Sequence, residues 1–166
     1  MASQVSQLLR ITRSAARTRR LGRALARHLE AGDLLCLVGE LGAGKTTFVQ
    51  GLAQGLDVAD AATSPSFTLM HHHQGRLPLL HLDLYRLAPG DLADIGLEEV
   101  IAGEAVVAVE WAERLPVPLC ADGLAVLFQF GASGRNVREI TFRGHGARAH
   151  QILREMAEES HAHSRH

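Results

Sequence analysis

Two spacings alternate along the chain. Short apolar runs of strand length are separated by segments in which apolar residues recur at three and four, the helical period. Leu34-Leu35-Cys36-Leu37-Val38 is a continuous apolar run of buried-strand type. Ala105-Val106-Val107-Ala108-Val109 is a second, fully apolar and rich in β-branched residues, as a central parallel strand requires. Alternating patterns predict strands over 67–73 and 77–85 around a turn at Gln74-Gly75-Arg76. A second such pair, 123–130 and 136–142, is joined by Gly131 to Arg135, so each pair predicts an antiparallel hairpin. Ser14 caps a predicted helix reaching Glu30, with Leu21, Leu25 and Leu29 on one stripe and Gly32 ending it. Further helices are predicted from Thr46 to about Leu56, from a cap at Asp91 to about Ile101, and over 147–158. Residues 1–12 are expected to be loose or a short strand, and 160–166 to fray. No repeat, heptad or linker interrupts the pattern. One domain spanning 1–166 is expected, of mixed α/β type with more antiparallel pairing than a plain doubly wound sheet.

The join between the first apolar run and its helix carries the chemistry. Gly39-Glu40-Leu41-Gly42-Ala43-Gly44-Lys45-Thr46 fits the phosphate-binding pattern G-x-x-x-x-G-K-[ST] without a mismatch. Glycines at 39, 42 and 44 let backbone N–H groups approach a phosphate without obstruction by a Cβ. Lys45 supplies a point charge for the β- and γ-phosphates, and the Thr46 hydroxyl can ligate magnesium. A strand before and a helix after set a helix N-terminus at the phosphates, the context the motif needs. The fold class that follows is a three-layer α/β domain of P-loop NTPase type, its mixed sheet a parallel core with antiparallel hairpins.

Composition sharpens this in two places. Lys45 is the only lysine among seventeen basic residues, so its presence does not reflect background usage. Charge is also unevenly placed: arginines 10, 13, 17, 19, 20, 23 and 27 precede the first acidic residue, Glu30, although the net charge is only −1. An Arg-rich start can be a transit peptide, a basic docking surface or a solvated helix face. The run directly into the P-loop strand argues against the first. No apolar run reaches membrane-spanning length, and Cys36 and Cys120 read as two isolated thiols of a reducing compartment.

A P-loop needs an acid at the end of a neighbouring strand, to hold the magnesium shell or orient water. Glu110 follows the second apolar run, and Asp83 ends His81-Leu82-Asp83, where alternation puts His81, Asp83 and Tyr85 on one face. Ser64-Pro65-Ser66-Phe67-Thr68 occupies a switch-like position after the P-loop helix. His71-His72-His73 reads as a solvated strand end, because adjacent strand residues alternate faces.

Gly39–Thr47, Ser64–Thr68, His81-Leu82-Asp83-Leu84-Tyr85-Arg86-Leu87 and Val109-Glu110-Trp111, in this order and spacing, resemble the TsaE family. Thr18 to Gly22 and Gly134-Arg135 fit as well, so the resemblance covers about residues 14–150. Ser66 stands where the family usually has Thr, which keeps a hydroxyl. The resemblance implies a bacterial, cytoplasmic P-loop ATPase of tRNA threonylcarbamoyladenosine biosynthesis. It would work with the TsaD and TsaB proteins, meet tRNA only through that complex, and have no membrane association. It implies ATP and Mg2+ as ligands. The nucleotide would be bound by Glu40, Leu41, Gly42, Ala43, Gly44, Lys45, Thr46 and Thr47, bordered by Trp111 and reached by Arg135 and, more loosely, by the segment at Ser14. Thr46 and Glu110 would hold the metal, while Lys45, Asp83 and Glu110 would serve catalysis.

Rival functions differ in what they require. A GTPase needs N-K-x-D for guanine, and no lysine exists outside the P-loop. A small-molecule kinase needs an acceptor pocket and an Arg-bearing lid; Arg86 and Arg114 could be forced into that role, yet nothing in the sequence marks a lid. A nucleotide-gated binding module would use occupancy alone, with incidental turnover.

Overall fold

The two continuous apolar runs become neighbouring parallel strands at the centre of one sheet. In the computed structural model, which describes residues 5–59, 70–88, 91, 96–115 and 120–164, the chain forms β1 (Gln7–Thr12), α1 (Ala15–Ala26), β2 (Leu34–Gly39), α2 (Lys45–Gly55), β3 (Met70–His73) and β4 (Leu79–Asp83). It continues with α3 (Leu97–Ile101), β5 (Val106–Glu110), β6 (Leu124–Phe130), β7 (Arg138–Gly144) and α4 (Gly146–His163). Seven strands lie in the order β1-β7-β6-β2-β5-β4-β3. The middle four, β6, β2, β5 and β4, are parallel, and β3, β7 and β1 add antiparallel to the edges. Both expected hairpins form, as β3–β4 and β6–β7.

Period-two alternation divides the central strands between two cores. Leu35, Leu37, Val106, Ala108 and Leu79 face α1, α2 and α4, while Cys36, Val107, Val109, Leu80 and Leu82 face α3 and the 3₁₀ turn Ala112–Arg114. This is the three-layer arrangement, with helices over both faces. α1 and α2 pack unusually close, because small residues line the contact: a Cβ added to Gly22 would come within 2.2 Å of Phe48 O, and one on Gly51 within 1.9 Å of Arg19 O. α4 is tied to the α1–β2 connection by Arg148, whose Nε and Nη2 donate to the two oxygens of buried Asp33 at 2.9 and 2.8 Å.

Of the two readings of the N-terminal residues, the short strand is realised over 7–12, paired with β7 from Gln7↔Arg143 to Thr12↔Arg138, a partner too distant in sequence for local pattern to reveal. Three local expectations change. Ser14 does cap α1, its Oγ accepting from Arg17 N at 3.2 Å, but the helix ends at Ala26 rather than near Glu30. α4 runs to His163, into residues expected to fray. Cys36 and Cys120 are joined in a disulfide rather than standing as isolated thiols. β2 and β6 are sheet neighbours, with Leu35 opposite Leu124, so Cys120, four residues before β6 begins, is carried to Cys36 across 84 positions of sequence. The inference to a reducing compartment loses its support. No helix among the described residues is long and apolar enough to cross a membrane.

Candidate functional site

The carboxyl ends of β2, β5 and β4 meet at one place, the crevice where open α/β sheets present their chemistry. From β2 the chain turns through Gly39–Gly44 into α2. Gly44 is the helix N-cap at φ 109, ψ 10, a left-handed conformation that side chains rarely adopt. As glycine it also has no side chain to satisfy the first-turn N–H groups, and the first turn of α2 contains no acidic residue. The helix therefore offers its uncapped positive end to an external anion.

Lys45 is held inside this turn at 5% exposure. Its Nζ donates to the carbonyls of Gly39 and Glu40, the latter at 3.2 Å, and sits 3.9 Å from the centroid of the Trp111 ring. Burial pulls the ammonium below the usual lysine range, an effect partly offset by the charges of Glu110, Glu113 and Asp83. A desolvated cation whose direct contacts among the described residues are carbonyls and a ring gains strongly from an anion.

Thr46 and Glu110 come together although 64 positions apart. Thr46 Oγ1 donates to Glu110 Oε1 at 2.8 Å, and Glu110, at 2% exposure, receives a second hydrogen bond on Oε2 from His81 Nε2 at 2.5 Å. Two hard oxygen ligands at the mouth of an anion cradle suit a divalent cation that completes its shell with water and phosphate oxygens. Among the described residues no group of three or more His, Cys, Asp or Glu could hold a metal unaided.

Asp83 ends β4 directly opposite Glu110 in the parallel register, so both carboxylates leave the sheet on the α2 side. Its Oδ1 accepts from Tyr85 N at 2.9 Å. Trp111 follows Glu110 at φ 58, a positive value that turns the chain out of β5. Its ring lies 4.8 Å from that of Tyr85 and under Lys45, forming an aromatic wall.

The other expected site residues fall as follows. Ala43 is buried, Leu41 and Glu40 are exposed at the crest of the loop, and Thr47 lies in the first turn of α2. The first turn of α1 abuts the P-loop: a Cβ on Gly44 would lie 3.5 Å from Thr18 Cγ2. Arg135 is exposed on the β6–β7 turn. Ser64–Thr68 lies outside the described residues. His71 and His73 share a face of the edge strand β3, their rings 6.0 Å apart.

Two residues were missed by sequence reasoning. His81 had been placed on the same strand face as Asp83, but its bond to Glu110 depends on β4 and β5 being neighbours. Arg138 carries no signal in the sequence beyond its place in the alternating strand expected over 136–142. Its Nη2 donates to Gly42 O at 3.3 Å and its guanidinium lies 4.5 Å from the centroid of the Phe130 ring, so it braces the P-loop crest from β7.

Comparison with known proteins bears on the family and the fold. Residues 12–139 match the family model described as threonylcarbamoyl adenosine biosynthesis protein TsaE. Curated proteins named tRNA threonylcarbamoyladenosine biosynthesis protein TsaE are similar over most of their length. The one from Treponema pallidum is 44% identical over 132 residues, 79% of this chain and 96% of that protein. The one from Bacillus subtilis is 37% identical over 141 residues, covering 84% and 87%. Among solved structures, Bacillus subtilis YdiB superposes with a TM-score of 0.78 at 33% identity, covering 93% of this chain and 96% of that one.

Proposed function

Because the chain belongs to the TsaE family of tRNA threonylcarbamoyladenosine biosynthesis, we propose that it is the subunit of that machinery which binds ATP with Mg2+ and hydrolyses it. The observation that carries this reading is the 2.8 Å hydrogen bond from Thr46 to Glu110 beside the uncapped N-terminus of α2. It joins the P-loop hydroxyl to the strand-end acid, the pair that a phosphate-bound cation needs. Thr46 and Glu110 would hold Mg2+, and the ion would supply charge that offsets the β- and γ-phosphates.

The chain's own residues do the rest by position and charge. The backbone N–H groups of Gly42 to Thr46 cradle the phosphates. Lys45 exchanges the carbonyls of Gly39 and Glu40 for phosphate oxygens, and its depressed proton affinity is restored by that anion. Asp83, level with Glu110, accepts the hydrogen bond of the attacking water and aligns it with the γ-phosphate. Trp111 borders the nucleotide, and Arg135 reaches it from the β6–β7 turn. Arg138 is engaged by Gly42 and Phe130 rather than aimed at a phosphate. Hydrolysis by the isolated chain is therefore slow, and a partner completes the site. The TsaD and TsaB proteins are those partners, tRNA is met through their complex, and the assembly works in the cytoplasm.

The test is Mg2+-dependent release of phosphate from ATP, with and without purified TsaB and TsaD and with Lys45→Ala as control. Stimulation by the pair that disappears in the variant is expected. Vigorous hydrolysis without partners, or none in either condition, would refute the reading. Phosphoryl transfer to a metabolite would replace it with a kinase.

A further inference from the structure

His81 has no exposed surface, yet among the described residues only one of its ring nitrogens finds a partner. Nε2 faces a carboxylate, which can only accept, so Nε2 carries the proton and donates to Glu110 Oε2. Nδ1 is buried with no hydrogen-bond partner among the described residues. An orphaned buried nitrogen carries a desolvation cost that no hydrogen bond offsets. Leucine fills positions 80, 82 and 84 of the same segment and would carry no such cost at 81. The imidazole therefore earns its place through Nε2 alone.

What Nε2 does follows from the geometry of Glu110. A glutamate side chain has three rotatable bonds, and this one lies opposite a second carboxylate, Asp83, whose charge pushes it away. Thr46 anchors Oε1 and His81 anchors Oε2, from α2 and β4 respectively. With both oxygens tethered, the carboxylate plane is fixed before any ligand arrives.

We propose that His81 is a positioning residue for the cation site: by holding Glu110 Oε2 it presents Oε1 beside the Thr46 hydroxyl in the orientation that a nucleotide-bound divalent ion requires. The inference rests on the ATP and Mg2+ reading of this crevice. Outer-shell hydrogen bonds of this kind change metal affinity by about 10–100-fold. The hydrogen bond of His81 goes to Glu110 and not to the P-loop, so its effect is expected on the metal.

The experiment titrates Mn2+ into the protein with saturating ADP, following free Mn2+ by its electron paramagnetic resonance signal. ADP affinity without metal is measured separately by calorimetry. His81→Leu removes the donor, and His81→Asn keeps a polar group too short to reach Glu110. His81→Gln returns an amide N–H to the position of Nε2. Leucine and asparagine should weaken Mn2+ binding about tenfold or more, leave metal-free ADP binding unchanged, and be largely rescued in the glutamine variant. Unchanged Mn2+ affinity in both, or a parallel loss of metal-free ADP affinity, would overturn the proposal. So would failure of both variants to fold, which would make His81 a packing residue. If the wild-type protein itself takes up no Mn2+ with ADP, the ATP and Mg2+ reading fails first and takes this inference with it.

Discussion

Gly51→Ala, in the middle of α2, gives the sharpest test of the packing that supports the site. By helix propensity alone the change should stabilise, since glycine in a helix interior is worse than alanine by about 1 kcal/mol. The structure reverses the sign. An added Cβ would lie 1.9 Å from Arg19 O, 2.8 Å from Arg19 C and 3.0 Å from Arg23 N, all backbone atoms of α1. No flexible side chain can yield. Carbon–oxygen contacts settle near about 3.3 Å, so the two helices must separate by roughly 1.4 Å there. Overpacking that shifts backbone costs about 3 kcal/mol at the upper end of its usual range, and subtracting the propensity gain leaves about 2 kcal/mol of destabilisation. In a domain of this size that lowers the melting temperature by about 4–8 °C. Urea unfolding followed by circular dichroism should show a lower midpoint with an unchanged slope. Because α2 begins at Lys45, nucleotide affinity should fall as well. An equal or higher midpoint would refute the close-packing argument.

Other perturbations separate binding, catalysis and stability. Asp83→Asn should leave nucleotide affinity intact while hydrolysis falls about 100-fold or more; if tRNA modification persisted in that variant, occupancy alone would suffice. Asp33→Ala strips Arg148 of a paired carboxylate partner and removes the acceptor of Glu30 N, which should cost about 2–3 kcal/mol in urea unfolding. Glu159 tests pH dependence. Desolvation raises its pKa, but the hydrogen bond from His28 and the charges of Arg27, His28 and His163 outweigh it and hold it below 4.5. A depressed carboxylate stabilises fully above its unfolded pKa and loses that contribution as pH falls through the folded one. The stability advantage of the wild type over Glu159→Gln should therefore persist at neutral pH and shrink below about pH 4.5. A constant difference across that range would exclude the effect.

Much of the site was visible in the linear chain because its parts are local. The P-loop needs closely spaced glycines, one lysine and a hydroxyl, and the chemistry of each is independent of the rest of the fold. The apolar runs before it and before Glu110 marked the central strands, since burial on both faces removes polar residues from a strand. Alternation likewise put Asp83 and His81 on one face. The basic N-terminal helix was legible for the same reason, through its cap and its leucine stripe.

Only the tertiary structure decided who stands next to whom. Alternation assigns a side chain to a face but says nothing of the neighbouring strand, and strand order depends on crossovers whose length the pattern does not constrain. The pairing of β1 with β7, the disulfide of Cys36 with Cys120 and the brace from Arg138 to Gly42 all span such unpredictable distances. So does the chain of contacts from His81 through Glu110 to Thr46, which needs β4 and β5 side by side and α2 packed over them. The residues that can bind and polarise a phosphate are written locally, because their chemistry is local. Their alignment is a property of the packed sheet, because angstrom-scale geometry between distant segments exists only once the core has closed.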